Sequence, residues 1–256
     1  MKKVVRILLF LVFAGIFLLS AYNVGDYYFA RYQSEKMQDT LIQQAVTVIP
    51  PQLPVPEEEE EETLPVERAP VAVDFETLAE QNPDIIGWIY LENTCIHYPI
   101  MQSKDNDYYL HRLFDKSWSW PGTPFADYRL KGDFTDFQTI VYGHNMKNGT
   151  MFAPITKYQD QSFYEENPVM WLLTPQGDYK VELIAGILTD DYGIADMATV
   201  DQSVAEEFLK EIWENSTFQS DVEATPEDRY LILSTCEYQF ENARYALIGK
   251  LTPIEK

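Results

Sequence analysis

Two apolar runs in this 256-residue chain end on side chains suited to acyl chemistry. Leu231-Ile232-Leu233-Ser234-Thr235-Cys236 leads a strand-like run through two small hydroxyl residues to a thiol. A sulfur at a strand terminus can face solvent through the loop that follows, and its thiolate form is a strong nucleophile. Eight residues on, Arg244 opens a second run, Arg244-Tyr245-Ala246-Leu247-Ile248-Gly249. If the two runs form a hairpin, Cys236 and Arg244 meet across the Glu237 to Ala243 turn. The guanidinium then favours the thiolate and can donate to an oxyanion. Thr139-Ile140-Val141-Tyr142-Gly143 leads in the same way to His144, a candidate acid/base for a thiol delivered by another strand. Plainer readings stand beside these: a buried structural cysteine, a surface arginine and a solvated loop histidine. His97 inside a predicted strand, and His111 inside a predicted helix, read as structural.

The elements that must position these groups are mostly strands. Period-2 and apolar patterns predict them at Ile85 to Leu91, Ile96 to Met101, Thr139 to Gly143, Met170 to Thr174, Tyr179 to Leu188, Tyr230 to Thr235 and Arg244 to Leu251. Helices are predicted from an Asp74 N-cap to Gln81, over Asp105 to Leu113, after a Thr150 cap, and over Val204 to Ile212. With 17 Tyr and 14 Phe to pack on pleated surfaces, the pattern describes a mainly antiparallel β domain, closed into a barrel and decorated with a few helices.

Ahead of that domain the composition changes twice. Ile7 to Val24 is uncharged and spans about 27 Å as a helix, close to the hydrocarbon thickness of a bilayer. Lys2, Lys3 and Arg6 precede it, which predicts a cytoplasmic amino terminus and an extracellular remainder. The alternative is a cleaved signal peptide, but Leu19 stands where a small residue is wanted before Ala21. Residues 26 to 48 suggest a short juxtamembrane helix. From Pro50 to Pro70 there are six prolines and the run Glu57 to Glu62, a stretch too extended and self-repelling to bury a core and expected to act as a spacer. The expected divisions are therefore 1–25 (cytoplasmic tip and anchor), 26–70 (juxtamembrane segment and stalk) and 71–256 (extracellular catalytic domain).

A net charge of −22 argues against nucleic-acid partners, since phosphates would be repelled. Cys95 and Cys236 are the two cysteines, too few for a disulfide framework and without CxxC spacing, although one Cys95–Cys236 bridge stays open. The three histidines have no HExxH spacing, and no metal site is expected.

Taken together, the segments resemble the sortases, class B most closely. Tyr142-Gly143-His144-Asn145-Met146-Lys147-Asn148-Gly149-Thr150-Met151-Phe152 is similar to the family's histidine motif. Leu233-Ser234-Thr235-Cys236-Glu237 is similar to its cysteine motif, and Arg244 stands at the arginine position. Gly87-Trp88-Ile89, Tyr98-Pro99-Ile100-Met101-Gln102, Asp107-Tyr108-Tyr109-Leu110 and Gly122-Thr123-Pro124-Phe125-Ala126-Asp127-Tyr128-Arg129 add support. The resemblance covers roughly Ile85 to Leu251. It implies an eight-stranded sortase-type β-barrel with peripheral helices, behind one transmembrane helix, and no metal or other cofactor. It also implies a cysteine transpeptidase acting in two steps. Cys236 would cleave the Thr–Xaa bond of an NPxTx- or LPxTG-like C-terminal sorting signal, borne by a surface or pilin protein, through a thioester. An amine of a peptidoglycan precursor or pilin would then resolve it, with His144 moving the protons and Arg244 steadying the oxyanion. Asn93, Thr189, Tyr192, Ser234 and Glu237 would line the substrate groove. Cys95 and His97 depart from the family's pattern, and Cys95 is expected to be a core thiol. Two other readings use the same residues differently: a cysteine peptidase with water as acceptor, and a membrane-tethered binding module in which Cys236 is inert. An L,D-transpeptidase would need a histidine just before the cysteine, which is missing here.

Overall fold

The computed structural model describes residues 2–50, 68–236 and 242–254. Its first element, α1 (Lys2–Ala45), is a single helix where the sequence suggests an anchor followed by a separate juxtamembrane helix. The two join because no proline interrupts the run, and Gly15 and Gly25 each lower helix propensity by only about 1 kcal/mol. The amino-terminal part is long and apolar enough to cross a membrane, and its side chains are exposed. The carboxyl-terminal part is packed instead. Leu41 and Ala45 are buried with Val71, Leu78 and Trp88 in one cluster.

Strand β1 (Val46–Val48) continues directly from α1 and pairs antiparallel with β2 (Val71–Val73), Val48 opposite Val71. The Ile49 amide donates to the Pro70 carbonyl at 2.8 Å. The residues that flank the Pro- and Glu-rich stretch are thus held side by side, and the expected spacer itself, 51–67, lies outside the described residues. Helix α2 (Phe75–Gln81) follows, with Asp74 accepting from the Thr77 amide at 3.0 Å as its cap.

Eight strands then close a barrel: β3 (Ile85–Tyr90), β4 (His97–Met101), β5 (Phe125–Ala126), β6 (Gln138–Tyr142), β7 (Val169–Leu173), β8 (Tyr179–Asp190), β9 (Tyr230–Cys236) and β10 (Ala243–Pro253). The order around the barrel is β10-β8-β7-β3-β4-β5-β6-β9. The β4–β5 and β6–β9 pairs are parallel and the others antiparallel. Closure leaves no unpaired edge among these strands.

Period-2 alternation sorts the side chains to two sides of the wall. Ile89, Val141, Leu172, Leu183, Leu233 and Leu247 fill the interior. Their neighbours Ile140, Ile184, Ile232, Ala246 and Ile248 lie outside, beneath α4 (Asp191–Met197) and α5 (Ala205–Glu214). Helix α5 matches the predicted spacing, burying Phe208, Leu209 and Ile212. A short α3 (Gln161–Glu166) precedes β7.

Two predicted helices take other forms. Over 105–113 only Tyr109–His111 turns, as 3-10 helix. The Asp105 carboxylate accepts from the amides of Asp107 and Tyr108, a local bond that competes with α-helical pairing. After the histidine segment the Thr150 hydroxyl bonds Asn148 rather than capping a helix. A 3-10 helix begins at Ala153, with a proline in its first positions.

Candidate active site

Cys236 ends β9 and Arg244 is the second residue of β10, and the two are direct Cα partners in the β9–β10 ladder. The hairpin expected from the sequence is therefore present. His144 arrives from the other side of β9. The parallel β6–β9 register pairs Tyr142 with Ser234, so two residues further along His144 stands beside Cys236. Three bonds continue that pairing past the strand ends. The Gly143 amide donates to the Ser234 carbonyl at 3.0 Å, the Thr235 hydroxyl to the Gly143 carbonyl at 2.7 Å, and Asn145 Nδ2 to the Cys236 carbonyl at 2.8 Å. Gly143 is needed for close approach, since a Cβ there would lie 2.6 Å from the buried Phe152 ring.

Alternation also fixes which face carries the site. Cys236 and Ser234 share parity with Ile232, Arg244 with Ala246, and His144 with Ile140, all on the outer side of the barrel. There they border a cavity of about 370 Å³, walled by Ile194 and Ala195 of α4 on one side and Leu110 on the other. Ser234 is buried and its hydroxyl has no partner, so a donor or acceptor is on offer at the cavity wall.

The electrostatics are specific. His144 Nε2 lies 3.0 Å from the Leu110 carbonyl. A carbonyl only accepts, so Nε2 carries the proton and in the neutral ring Nδ1 is the free base. Burial holds the imidazole below its usual pKa. The Leu110 carbonyl opposes that, while the charges of His111 and Arg244 reinforce it. Arg244 Nη2 forms a 2.6 Å ion pair with Asp191 at the start of α4, and its Nη1 donates to the Ala243 carbonyl at 3.2 Å.

Several contributors carried no clear signal in the sequence. His111, expected to be structural, stacks on His144 with ring centroids 5.6 Å apart, and Trp120 stacks on His111 at 4.7 Å. Asp127 is fully buried behind the cavity. It accepts from Arg129, from the Tyr142 hydroxyl at 2.8 Å and from Asn106 at 3.1 Å. Despite its burial, those donors hold its carboxyl down at about 2. Asn145 and Asp191 belong with these. An aspartate or asparagine in a loop is common, and only long-range pairing reveals its partner.

Of the expected groove residues, Ser234 lines the cavity, while Asn93, Thr189 and Tyr192 are not among its lining residues. Asn93 sits in the β3–β4 turn in a left-handed conformation, φ 57°. Thr189 pairs with Arg244 across β8–β10. Tyr192 is exposed in the first turn of α4. Glu237 lies outside the described residues. Cys95 is half-buried in a loop rather than part of the core, its thiol 3.2 Å from the Gly149 carbonyl and its pKa raised by burial. Both cysteines are free thiols.

A closed eight-stranded barrel opening a thiol site on its outer face is the architecture of the sortases, and comparison with known proteins agrees. No family model matches the sequence. Sortase B of Listeria monocytogenes is 33% identical over 244 residues, covering 94% of each chain. Sortase B of Staphylococcus aureus is 34% identical over 189 residues, covering 72% of this chain and 77% of that one. The solved Staphylococcus aureus sortase B–substrate complex superimposes with a TM-score of 0.66 at 31% identity, over 71% of this chain and 85% of its own. A sortase B structure complexed with triglycine matches with a TM-score of 0.65 at 32% identity, covering 71% of this chain and 86% of its own. The chain belongs to the sortase B family. It is a cysteine transpeptidase.

Proposed function

We propose that Cys236 is the nucleophile, His144 its proton carrier and Arg244 the oxyanion clamp. The substrate is a C-terminal sorting signal of the NPxTx or LPxTG kind, cleaved at the Thr–Xaa bond. The observation that carries this is the double register around β9. It sets Arg244 opposite Cys236 on one side and His144 level with it on the other.

The chemistry follows from those positions. As Cys236 Sγ attacks the scissile carbonyl, His144 Nδ1 takes the thiol proton, and Nε2 stays on Leu110. The guanidinium faces the developing oxyanion. The tetrahedral species collapses as the imidazolium protonates the leaving amine, which leaves a thioester. An incoming amine then gives its proton to His144 and attacks the thioester. The C–S bond breaks to leave the acyl group as a new amide and Cys236 as a thiolate, and His144 returns the proton to the sulfur. The depressed imidazole pKa keeps the base neutral at physiological pH, ready for the first transfer. Ser234, with its unpartnered hydroxyl in the wall, is the groove residue best placed to bond the signal's backbone. Asn93, Thr189, Tyr192 and Glu237 remain assigned to the substrate groove. The substrate complex and the triglycine complex of related enzymes support a peptide signal and an amine acceptor, drawn here from a peptidoglycan precursor or a pilin lysine.

Lys2, Lys3 and Arg6 ahead of the apolar part of α1 support a single pass with the amino terminus in the cytoplasm and the barrel outside. We assign 1–25 to the tip and anchor, 26–70 to the connecting segment and 71–256 to the catalytic domain.

The test is intact-protein mass spectrometry of the detergent-solubilised full chain with NPxTx and LPxTG peptides. The expected result is an adduct on Cys236, absent in Cys236→Ala and converted to a ligated peptide by an added amine. A chain that forms no adduct while Cys236 resists iodoacetamide would overturn the assignment. Release of the adduct by water alone, with no ligated product at high amine, would favour the peptidase reading.

A further inference from the structure

Helix α1 leaves its apolar stretch at Val24 and first buries a residue at Ala30. Six residues of helix advance about 9 Å. The headgroup layer on each side of a bilayer is about 5–7 Å deep. Ala30 therefore sits at the outer edge of that layer if α1 spans the membrane. The loop after the 3-10 turn is tied to this height, because the buried Ser119 hydroxyl donates to the Ala30 carbonyl at 3.3 Å. Ser119 is flanked by Trp118 and Trp120, which are 56% and 50% exposed. On α1 the same level carries exposed Tyr27, Tyr28, Phe29 and Tyr32. Two exposed indoles and four exposed aromatic rings at one height are unfavourable in water, but they match the belt that tryptophan and tyrosine form at membrane interfaces.

We propose that the loop Arg112–Pro121 rests on the headgroup layer of the membrane that α1 enters, with Trp118 and Trp120 as its anchors. The proposal rests on α1 being a membrane span and deepens the proposed function by placing the site. Trp120 stacks on His111 and His111 on His144, so the histidine side of the cavity lies one pile of rings from the bilayer surface. Leu110, whose carbonyl holds His144 Nε2, precedes the same loop. A sorting signal or acceptor held in the membrane would thus meet the site from below without extending far into solvent. The acidic balance of the chain argues that indoles rather than charge hold the contact.

The test uses the full chain in phosphatidylcholine/phosphatidylglycerol vesicles whose acyl chains carry bromine at graded depths, with tryptophan emission as the readout. Quenching is expected to be strongest for bromine nearest the headgroups. It should vanish in the Trp118→Phe/Trp120→Phe pair and persist in Trp213→Phe, which removes the exposed indole of α5. Trp118→Glu should lower cleavage of a vesicle-tethered signal several-fold and leave cleavage of the soluble peptide unchanged. A chain that floats with vesicles yet shows no quenching, or quenching that survives the double variant, overturns the proposal. A chain that does not float overturns the membrane span and the docking together. Concentration-dependent self-association lost in the Trp pair, without quenching, would assign the patch to a second copy and overturn the lipid reading.

Discussion

The ion pair between Arg244 and Asp191 sets the resting state of the site, because the guanidinium assigned to the oxyanion is already shared with a carboxylate. Asp191 is about half exposed, and such pairs contribute only about 0–1 kcal/mol. Asp191→Asn should therefore leave thermal stability nearly unchanged and raise kcat/KM up to about fivefold, by removing a competitor of the substrate. Peptide kinetics decide it, and a fall in kcat would instead make Asp191 the residue that aims Arg244. A second titratable group lies away from the chemistry. His97 is packed against Trp88 and Tyr90, and burial pushes its pKa down to about 4. A depressed value in the fold means stability is fully present above the unfolded value near 6.5 and is lost as pH falls from there through 4. With discount for its partial exposure, the loss is about 1–2 kcal/mol. Denaturant titrations at pH 7 and pH 4 should show this, and His97→Phe should reduce the difference.

The carboxyl-terminal part of helix α1 and strand β1 support the barrel. Leu41 and Ala45 close the cluster around Trp88, the β1–β2 ladder adds pairing, and Gln38 Nε2 donates to the His97 carbonyl at 3.2 Å. A fully buried leucine alone contributes about 1.5–3 kcal/mol. A fragment beginning at Val71 should consequently unfold at a lower temperature than one beginning at Asp26, by several degrees or more. Equal melting temperatures by circular dichroism would show the packing to be energetically idle.

For the molecule as a whole, one continuous helix joins the candidate membrane span to the barrel, and β1 and β2, which flank the Pro- and Glu-rich stretch, are paired with each other. Replacing residues 51–67 with a four-residue Gly/Ser link should leave peptide cleavage unchanged. It should stabilise the chain by about 1 kcal/mol through the shorter loop. A large loss of activity would show that the acidic stretch acts on the site directly.

Local pattern was enough for much of this. The apolar runs of Tyr230 to Cys236 and of Arg244 to Leu251, the Asp74 cap and the spacing of α5 are all properties of neighbouring residues, and short-range sterics decide them. The three candidate side chains were legible because each stands at one end of an apolar run that is visible by itself. What a period cannot supply is the partner. The parallel β6–β9 register that sets His144 beside Cys236 joins residues about 92 positions apart, and it is fixed by closure of the whole barrel. The same holds for Asp191 on Arg244, for His111 and Trp120 on His144, and for the buried Asp127. Each becomes part of the site only when distant segments are packed together, since a hydrogen bond or a ring stack depends on separation in space and not on distance along the chain.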